Sequence, residues 1–360
     1  MKKILAICTS PDIGGLELYF TKMVNYYKDN SVSAVCRKNS EIEKRIPDSR
    51  IAISKISIFN ILYYALKISK FINQNKIDVI HVSWSKDILF SVLIKILSKQ
   101  KLLLIYYRQM KITRYKNDFY HSFLFKYIDL VLVITQKLKI EAQKYYPIKN
   151  NKIQILTYGI YKPTEIDIHG KNQYFEKINL NTSLFTIGLF SRVEEQKGQH
   201  LVIDAIKELK SEEIQLLSIG HVMDENYKSK LDKLIADNDL KRYIRFINFI
   251  NEPMKIMPYV DLIILPTYEE TFGLVLAEAM IMQVPVIGSN AGGVPEIIED
   301  GQNGLLFEPK NSKDLSRKIL KIKTDTLLRK NFSKKGKAFA DIKYNYDLHF
   351  QTINKYLDTL

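Results

Sequence analysis

Residues 161–183 read YKPTEIDIHGKNQYFEKINLNTS, and this stretch decides how the chain divides. It is polar and follows neither the two-residue period of a strand nor the 3.6-residue period of a helix. On both sides of it the pattern is regular. Before it, short β-branched runs predict strands at 4–8, 32–36, 51–53, 79–82, 102–107, 130–134 and 153–156, with helical patterns such as 16–27, 61–72 and 136–145 between them. Beyond it, strands are expected at 185–190, 214–219, 244–249, 262–265, 284–287 and 305–307. Strands alternating with helices argue βα units and parallel sheets. A chain of 360 residues suits two domains. The expected fold class is therefore α/β with two Rossmann-like, doubly wound domains. The division runs 1–165, a linker at 166–183, a second domain at 184–340, and a terminal helical segment at 341–360. Spacing leaves open whether that last segment closes the second domain or crosses back to the first.

Composition narrows the function classes. The net charge is +15, and it is unevenly placed: residues 1–170 hold 28 Lys+Arg against 13 Asp+Glu, while the remainder balances at 26 and 26. A basic half suits an anionic partner such as a nucleic acid, an acidic saccharide or a phosphate-rich membrane surface. Two cysteines, Cys8 and Cys36, make no disulfide framework and belong to no metal-site spacing, so a reducing cytoplasmic setting is expected. The start MKKILAICTSPD is apolar over too short a stretch for a signal peptide and reads as a first strand. The most apolar segment, 88–107, is interrupted by Lys95, Lys99 and Lys101 and reads as a helix followed by a strand. Asp237 to Asp239, DND, reads as a turn and not as a metal site.

Three strand ends carry residues suited to a phosphate. At 9–20, TSPDIGGLELYF brings Gly14 and Gly15 to the start of a helix, where free N–H groups attract anions. At 190–199, FSRVEEQKGQ sends Arg192 and Lys197 from the mouth of a strand; two cations can neutralise a diphosphate, or can simply pair with Glu194 and Glu195. At 268–280, YEETFGLVLAEAM sets Glu278 inside an apolar run, where an ionised carboxylate needs a polar partner or water. Placed on one helix, Glu270 and Glu278 would stand about 12 Å apart along its axis, which fits opposite ends of an extended ligand. The N–H groups around Phe272, Gly273 and Leu274 would face phosphates between them.

These pieces together resemble the retaining GT-B glycosyltransferases of family 4. ETFGLVLAEAM, preceded by ILPTYE and followed by QVPVIGSNAGGVPEII and GLLF, is similar to that family's EX7E region; SRVEEQKGQ resembles its Arg and Lys motif, and the GG at 14–15 its first glycine loop. The resemblance implies that the C-terminal domain holds a nucleotide-diphosphate sugar and the N-terminal domain the acceptor, with no cofactor or metal. It implies that Arg192 and Lys197 bind the diphosphate, Glu270 the transferred sugar and Glu278 the ribose. The base would lie near Phe249 and Ile250, and the last helix would cross back to the first domain.

The chain also departs from the family pattern. Where many members place a histidine after the fifth strand, this one offers Arg108; His81, after the fourth strand, is the other acceptor-side candidate. Arg108 cannot accept a proton, and with Lys111 and Arg114 it would instead hold an anionic acceptor. The expected activity is transfer of a sugar to a glycan or lipid-linked saccharide in bacterial surface polysaccharide or lipopolysaccharide synthesis. The setting would be cytoplasmic, at the inner face of the membrane, with peripheral contact to anionic lipid. Two other readings stand beside it. A nucleotide-sugar epimerase needs acids and bases around the sugar, and no convincing set is evident. A basic nucleic-acid-binding protein needs a stacking platform, whereas the aromatics here follow strand and helix periods, so nucleic acid is not an expected partner.

Overall fold

The structure, a computed structural model, describes residues 2–12, 14–27, 32–46, 50–167, 169–209 and 212–360. The chain forms two compact units, Met1–Thr157 with His349–Leu360, and Tyr158–Leu348.

The first unit contains β1 (Ile4–Cys8), α1 (Gly15–Tyr26), β2 (Val32–Arg37), β3 (Arg50–Ile53), α2 (Ile61–Asn75), β4 (Val79–Val82), α3 (Ile88–Leu97), β5 (Leu103–Arg108), α4 (Phe119–Lys126), β6 (Leu130–Val133), α5 (Gln136–Tyr145) and β7 (Ile153–Ile155). The second contains α6 (Lys171–Lys177), β8 (Phe185–Phe190), α7 (Gln199–Glu208), β9 (Ile214–Ile219), α8 (Glu225–Asp237), β10 (Ile244–Ile247), β11 (Leu262–Leu265), α9 (Leu274–Ile281), β12 (Val286–Ser289), β13 (Leu305–Phe307), α10 (Ser312–Thr324) and α11 (Thr326–Lys343). The last helix, α12 (Tyr346–Asp358), runs from the end of the second unit into the first.

Both sheets are parallel, and their strand orders match. The seven-stranded sheet runs β3-β2-β1-β4-β5-β6-β7 and the six-stranded one β10-β9-β8-β11-β12-β13. Counted within each unit, both follow the doubly wound order 3-2-1-4-5-6, whose switch points fall between β1 and β4 and between β8 and β11. ILAIC, LVLV and LIIL are buried along their whole length because helices cover both faces of such a sheet.

The polar stretch 161–183 departs from the expected linker. It carries α6, whose Phe175 is fully buried. Gln215 clamps its exit: Oε1 accepts from the Asn181 N–H at 3.1 Å and Nε2 donates to the Asn181 carbonyl at 2.6 Å. One buried side chain in seven residues leaves no periodic signal, yet burying the Phe175 ring contributes about 2–3 kcal/mol. Strand β12 starts two residues later than expected, at Val286, because Pro285 has no N–H to give the ladder and only its carbonyl pairs, with the Ile263 N–H at 3.0 Å. Strand β10 stops at Ile247, and Asn248 Oδ1 takes the Phe249 N–H at 2.8 Å.

Residues of α12 from His349 onward complete the first unit. Phe350, Ile353 and Leu357 are buried, and Phe350 stacks on Tyr26 at a 4.0 Å centroid separation. Tyr27 Oη donates to Asn354 Oδ1 at 3.1 Å, and His349 Nε2 is hydrogen-bonded to Tyr19 Oη at 3.0 Å.

Candidate active site

In the second unit, the loops leaving β8 and β11 flank the switch point and are tied together residue by residue. The Gln196 carbonyl accepts the Tyr268 N–H at 3.0 Å and the Thr267 hydroxyl at 3.2 Å. Gly198 sits at φ +70°, and a Cβ there would lie 2.3 Å from the Pro266 carbonyl oxygen, so only glycine allows this approach. That contact brings Lys197 Nζ to 2.8 Å from Glu270 Oε2, with both side chains about one-fifth exposed. Glu270 Oε1 accepts the Thr271 N–H at 3.2 Å.

The Glu270 backbone is held from a third strand end. Gly292, at φ +63°, packs so closely that a Cβ would lie 2.0 Å from the Glu270 carbonyl, and that carbonyl accepts the Gly293 N–H at 2.8 Å. The pattern NAGG after β12 is the sequence signal for this clamp.

Glu270 and Glu278 do not share a helix. Helix α9 begins at Leu274 with Gly273 as a left-handed N-cap, so Glu270 lies on the loop before it and the expected helical separation does not apply. Glu278 lies half-buried in α9 with buried Ala277 and Ala279 beside it, so its carboxylate is neither sealed in the core nor fully in solvent. No side chain caps the α9 N-terminus. The free N–H groups of Gly273 and Leu274 follow Glu270 by only a few residues. Phe272 is core: its ring meets Tyr158 and Tyr344 edge-on at 5.0 and 5.5 Å.

Arg192 is 59% exposed and pairs with Glu194 at 2.9 Å. Its carbonyl accepts from Nε2 of the fully buried Gln199 at 2.7 Å, which fixes the loop's path. Phe249 and Ile250 follow β10; Phe249 is exposed and stacks on His221 at 4.9 Å with planes 12° apart.

Sequence reading missed His200. Its ring bridges two phenols, Tyr227 Oη at 2.8 Å from Nδ1 and Tyr268 Oη at 2.9 Å from Nε2, so it joins α7 to α8 and to the loop bearing Glu270. Burial lowers its pKa against the opposing pull of Asp204 and Glu195. The histidine two places past Gly198 is visible in the sequence, but its two partners lie 27 and 68 residues away.

In the first unit the expected acceptor-side residues fare unequally. His81 is a correction: it is 2% exposed, near Tyr107 and His349 inside the unit, and both ring nitrogens lack a hydrogen-bond partner. Desolvation first, then the neighbouring His349, lower its pKa to about 4. Its strand, β4, is buried along its whole length. Arg108 ends β5 and spends its guanidinium on Tyr106 Oη at 3.2 Å and on the Lys111 carbonyl. Lys111 and Arg114 are exposed on the following loop. Burial and the nearby Arg114 and Arg108 lower the pKa of Lys116, which marks this loop as a concentration of positive charge. Gly14 is extended, φ −158°, and Gly15 has no atom within 4 Å of a Cβ position; neither is conformationally required. A Cβ on Gly14 would lie 3.3 Å from Glu17 Oε2, so a carboxylate already stands at the start of α1.

The switch point of the first unit is closed differently. Thr9 gives its N–H to Asp87 Oδ2 at 2.8 Å and its hydroxyl to Oδ1 at 2.5 Å, and all of this is buried. Desolvation raises the Asp87 pKa to about 6, against the lowering effect of the Thr9 hydrogen bonds.

Comparison with known proteins now fits the geometry. Residues 170–339 match the family described as "Glycosyl transferases group 1". The chain is 26% identical to an uncharacterised glycosyltransferase of Methanocaldococcus jannaschii, with 100% of this chain and 99% of the relative aligned. It is 23% identical to the capsular polysaccharide biosynthesis glycosyltransferase CapM of Staphylococcus aureus, over 89% of this chain and 86% of that one. The crystal structure of Anabaena HepE in complex with UDP-glucose superposes with a TM-score of 0.82 at 20% identity, over all of both chains. The fold is that of the GT-B glycosyltransferases; residues 170–339 match the group 1 glycosyltransferase family, and the chain is similar to glycosyltransferases of capsular and lipopolysaccharide synthesis.

Proposed function

We propose that the protein is a retaining, metal-independent glycosyltransferase of family 4, and that it moves a sugar from a nucleotide-diphosphate donor to a glycan or lipid-linked saccharide. The observation that carries this reading is the Lys197–Glu270 pair held between the β8 and β11 loops. Its charge is compensated internally but remains open to solvent, so a diphosphate can take over the ammonium while a sugar hydroxyl takes over the carboxylate.

The roles follow from position. Lys197 and Arg192 neutralise the diphosphate, together with the free N–H groups of Gly273 and Leu274. Glu270 accepts from hydroxyls of the transferred sugar, Glu278 from those of the ribose, and Phe249 and Ile250 flank the base. In the reaction the anomeric carbon–oxygen bond to the diphosphate breaks and the electron pair leaves with the nucleotide. The acceptor oxygen bonds the anomeric carbon on the same face, and its proton passes to a departing phosphate oxygen. Stabilising the departing charge is the protein's main contribution. His81 is sealed in the core and Arg108 has no lone pair to offer, so neither serves as a base.

HepE was crystallised with UDP-glucose, which supports a UDP-sugar as the first donor to try. The basic loop after β5 and the family's lipopolysaccharide relatives support a lipid-linked acceptor met at an anionic membrane surface. A metal-free thermal-shift screen of UDP, GDP, ADP and their sugars tests the donor. A saturating ligand at ~100 times Kd adds about 2.7 kcal/mol to stability, and the shift should vanish in Lys197→Ala, Arg192→Ala and Glu278→Ala. Retention is read from the anomeric configuration of the product.

A further inference from the structure

We infer that the first unit docks on an anionic lipid bilayer through the amino-terminal end of α2. This sharpens the lipid-linked acceptor reading by naming the surface.

Helix α2 buries one face, Ala65, Ile68, Ser69 and Ile72, against its own unit. Its other face is apolar where a soluble helix would be polar: Ile58 and Phe59 just before it are 84% and 96% exposed, and Leu62, Tyr63 and Leu66 continue the stripe at helical spacing. One turn further along that face stand exposed Lys67 and Lys70. Residues 51–77 contain Lys55, Lys67, Lys70 and Lys76 and no acidic residue. An apolar end bordered by lysines is the arrangement that seats in acyl chains with its cations among lipid phosphates.

The same edge carries a second contact of the same kind. Helix α3 packs against both α2 and α4, so the three share a layer, and the segments that lead into them from β3, β4 and β5 lie at the carboxyl edge of one parallel sheet. At α4 that edge presents Phe119, 90% exposed, after exposed Lys111 and Arg114. Between the two patches, Lys86 lies over the Trp84 ring at 5.1 Å. A second copy of the chain is the weaker occupant, because pairing the α2 face with itself would bring lysines against lysines with no carboxylate in residues 51–77 to offset them, and Asp118 beside Phe119 is engaged in capping α4 and pairing with His121. A bilayer supplies the missing negative charge and is wide enough for both patches.

The test is co-sedimentation with vesicles of phosphatidylcholine alone and of phosphatidylcholine with phosphatidylglycerol, at low and high salt. The wild type should pellet with the anionic vesicles and be partly released by salt. Phe59→Ser with Leu62→Ser should weaken that binding about tenfold or more, because two apolar side chains leave the acyl region. Both positions are exposed, so melting temperature and any nucleotide-induced shift should not change. Wild type that stays in the supernatant with anionic vesicles, or a double variant that binds as well as wild type, overturns the proposal. So does a wild-type dimer in sedimentation velocity that becomes monomeric in the double variant, which would give the face to a second copy. A wild type that pellets but shows no nucleotide shift would count against the donor reading and leave the docking surface standing.

Discussion

The two sheets share a strand order and close their switch points with the same device, a carboxylate on the loop of one strand bound to a group on the loop of the other, yet they use it oppositely. In the first unit Asp87 takes the N–H and hydroxyl of Thr9, and the whole arrangement is buried. In the second Glu270 takes the ammonium of Lys197, and both side chains remain in contact with solvent. A buried carboxylate with satisfied hydrogen bonds is fixed, since withdrawing either partner strands a polar group in the interior. A wet ion pair is worth little to stability and can exchange one partner for a ligand. Matched topology thus serves cohesion in one unit and, in the function proposed above, binding in the other.

The largest expected break in this comparison is catalytic. Lys197→Ala should lower transfer by about 10²–10³-fold, in the range seen when one group stabilising developing charge is removed, with the melting temperature nearly unchanged. Initial rates against a saturating donor will read it. Asp87→Ala should do the reverse: about 1–3 kcal/mol of stability lost because the Thr9 N–H is left unpaired, and nucleotide affinity untouched. Gly198→Ala lies between the two, since the added Cβ meets the Pro266 carbonyl at a positive φ. It should cost about 1–3 kcal/mol and also weaken nucleotide binding, because the strain falls on the loop that carries Lys197.

Acid should test both units as well. His81 and His349 both have pKa values lowered to about 4 in the folded protein, chiefly by burial, from an ordinary 6.5. Their contribution is present above pH 6.5 and is lost as pH falls from there toward 4, on the order of 3 kcal/mol for each. Asp87 works the other way. Its raised pKa of about 6 favours the fold below the ordinary 3.8, and that advantage disappears as pH rises through 6. Two histidines against one aspartate leave a net loss on acidification in the first unit, and His200, whose pKa burial also lowers, adds a loss in the second. A Tm series from pH 7 to pH 4 checks this, and His81→Leu should flatten it. The smallest effect belongs to Arg192→Ala. Its exposed pair with Glu194 contributes less than about 1 kcal/mol, so stability should hold while donor affinity drops about tenfold.

What was legible in the sequence follows the range of the interaction. The central strands could be placed because burial on both faces writes itself as an apolar run, and β12 starts two residues late because Pro285 belongs to the run but not to the ladder. Arg192, Lys197 and Glu270 could be singled out as charged residues at strand ends. Their pairing could not, since it depends on Gly198 meeting Pro266 and on Gly292 meeting Glu270, contacts between distant loops. A spacing of eight residues fits two turns and more of one helix, so the sequence suggests that Glu270 and Glu278 share one, and nothing local shows that Gly273 starts the helix late. His81 and His200 show the same limit: a strand-end histidine gives no sign of which face it takes, and a bridging one gives no sign of its tyrosines.

The central claim is that the Lys197–Glu270 pair is the donor's diphosphate site. Calorimetric titration of metal-free UDP into wild type, Lys197→Ala and Asp87→Ala tests it most directly. The account predicts that Asp87→Ala binds like wild type while Lys197→Ala loses about 1.5–3 kcal/mol, a charge-assisted hydrogen bond's worth of affinity. Equal binding by wild type and Lys197→Ala would contradict it and move the diphosphate away from the β8 and β11 loops.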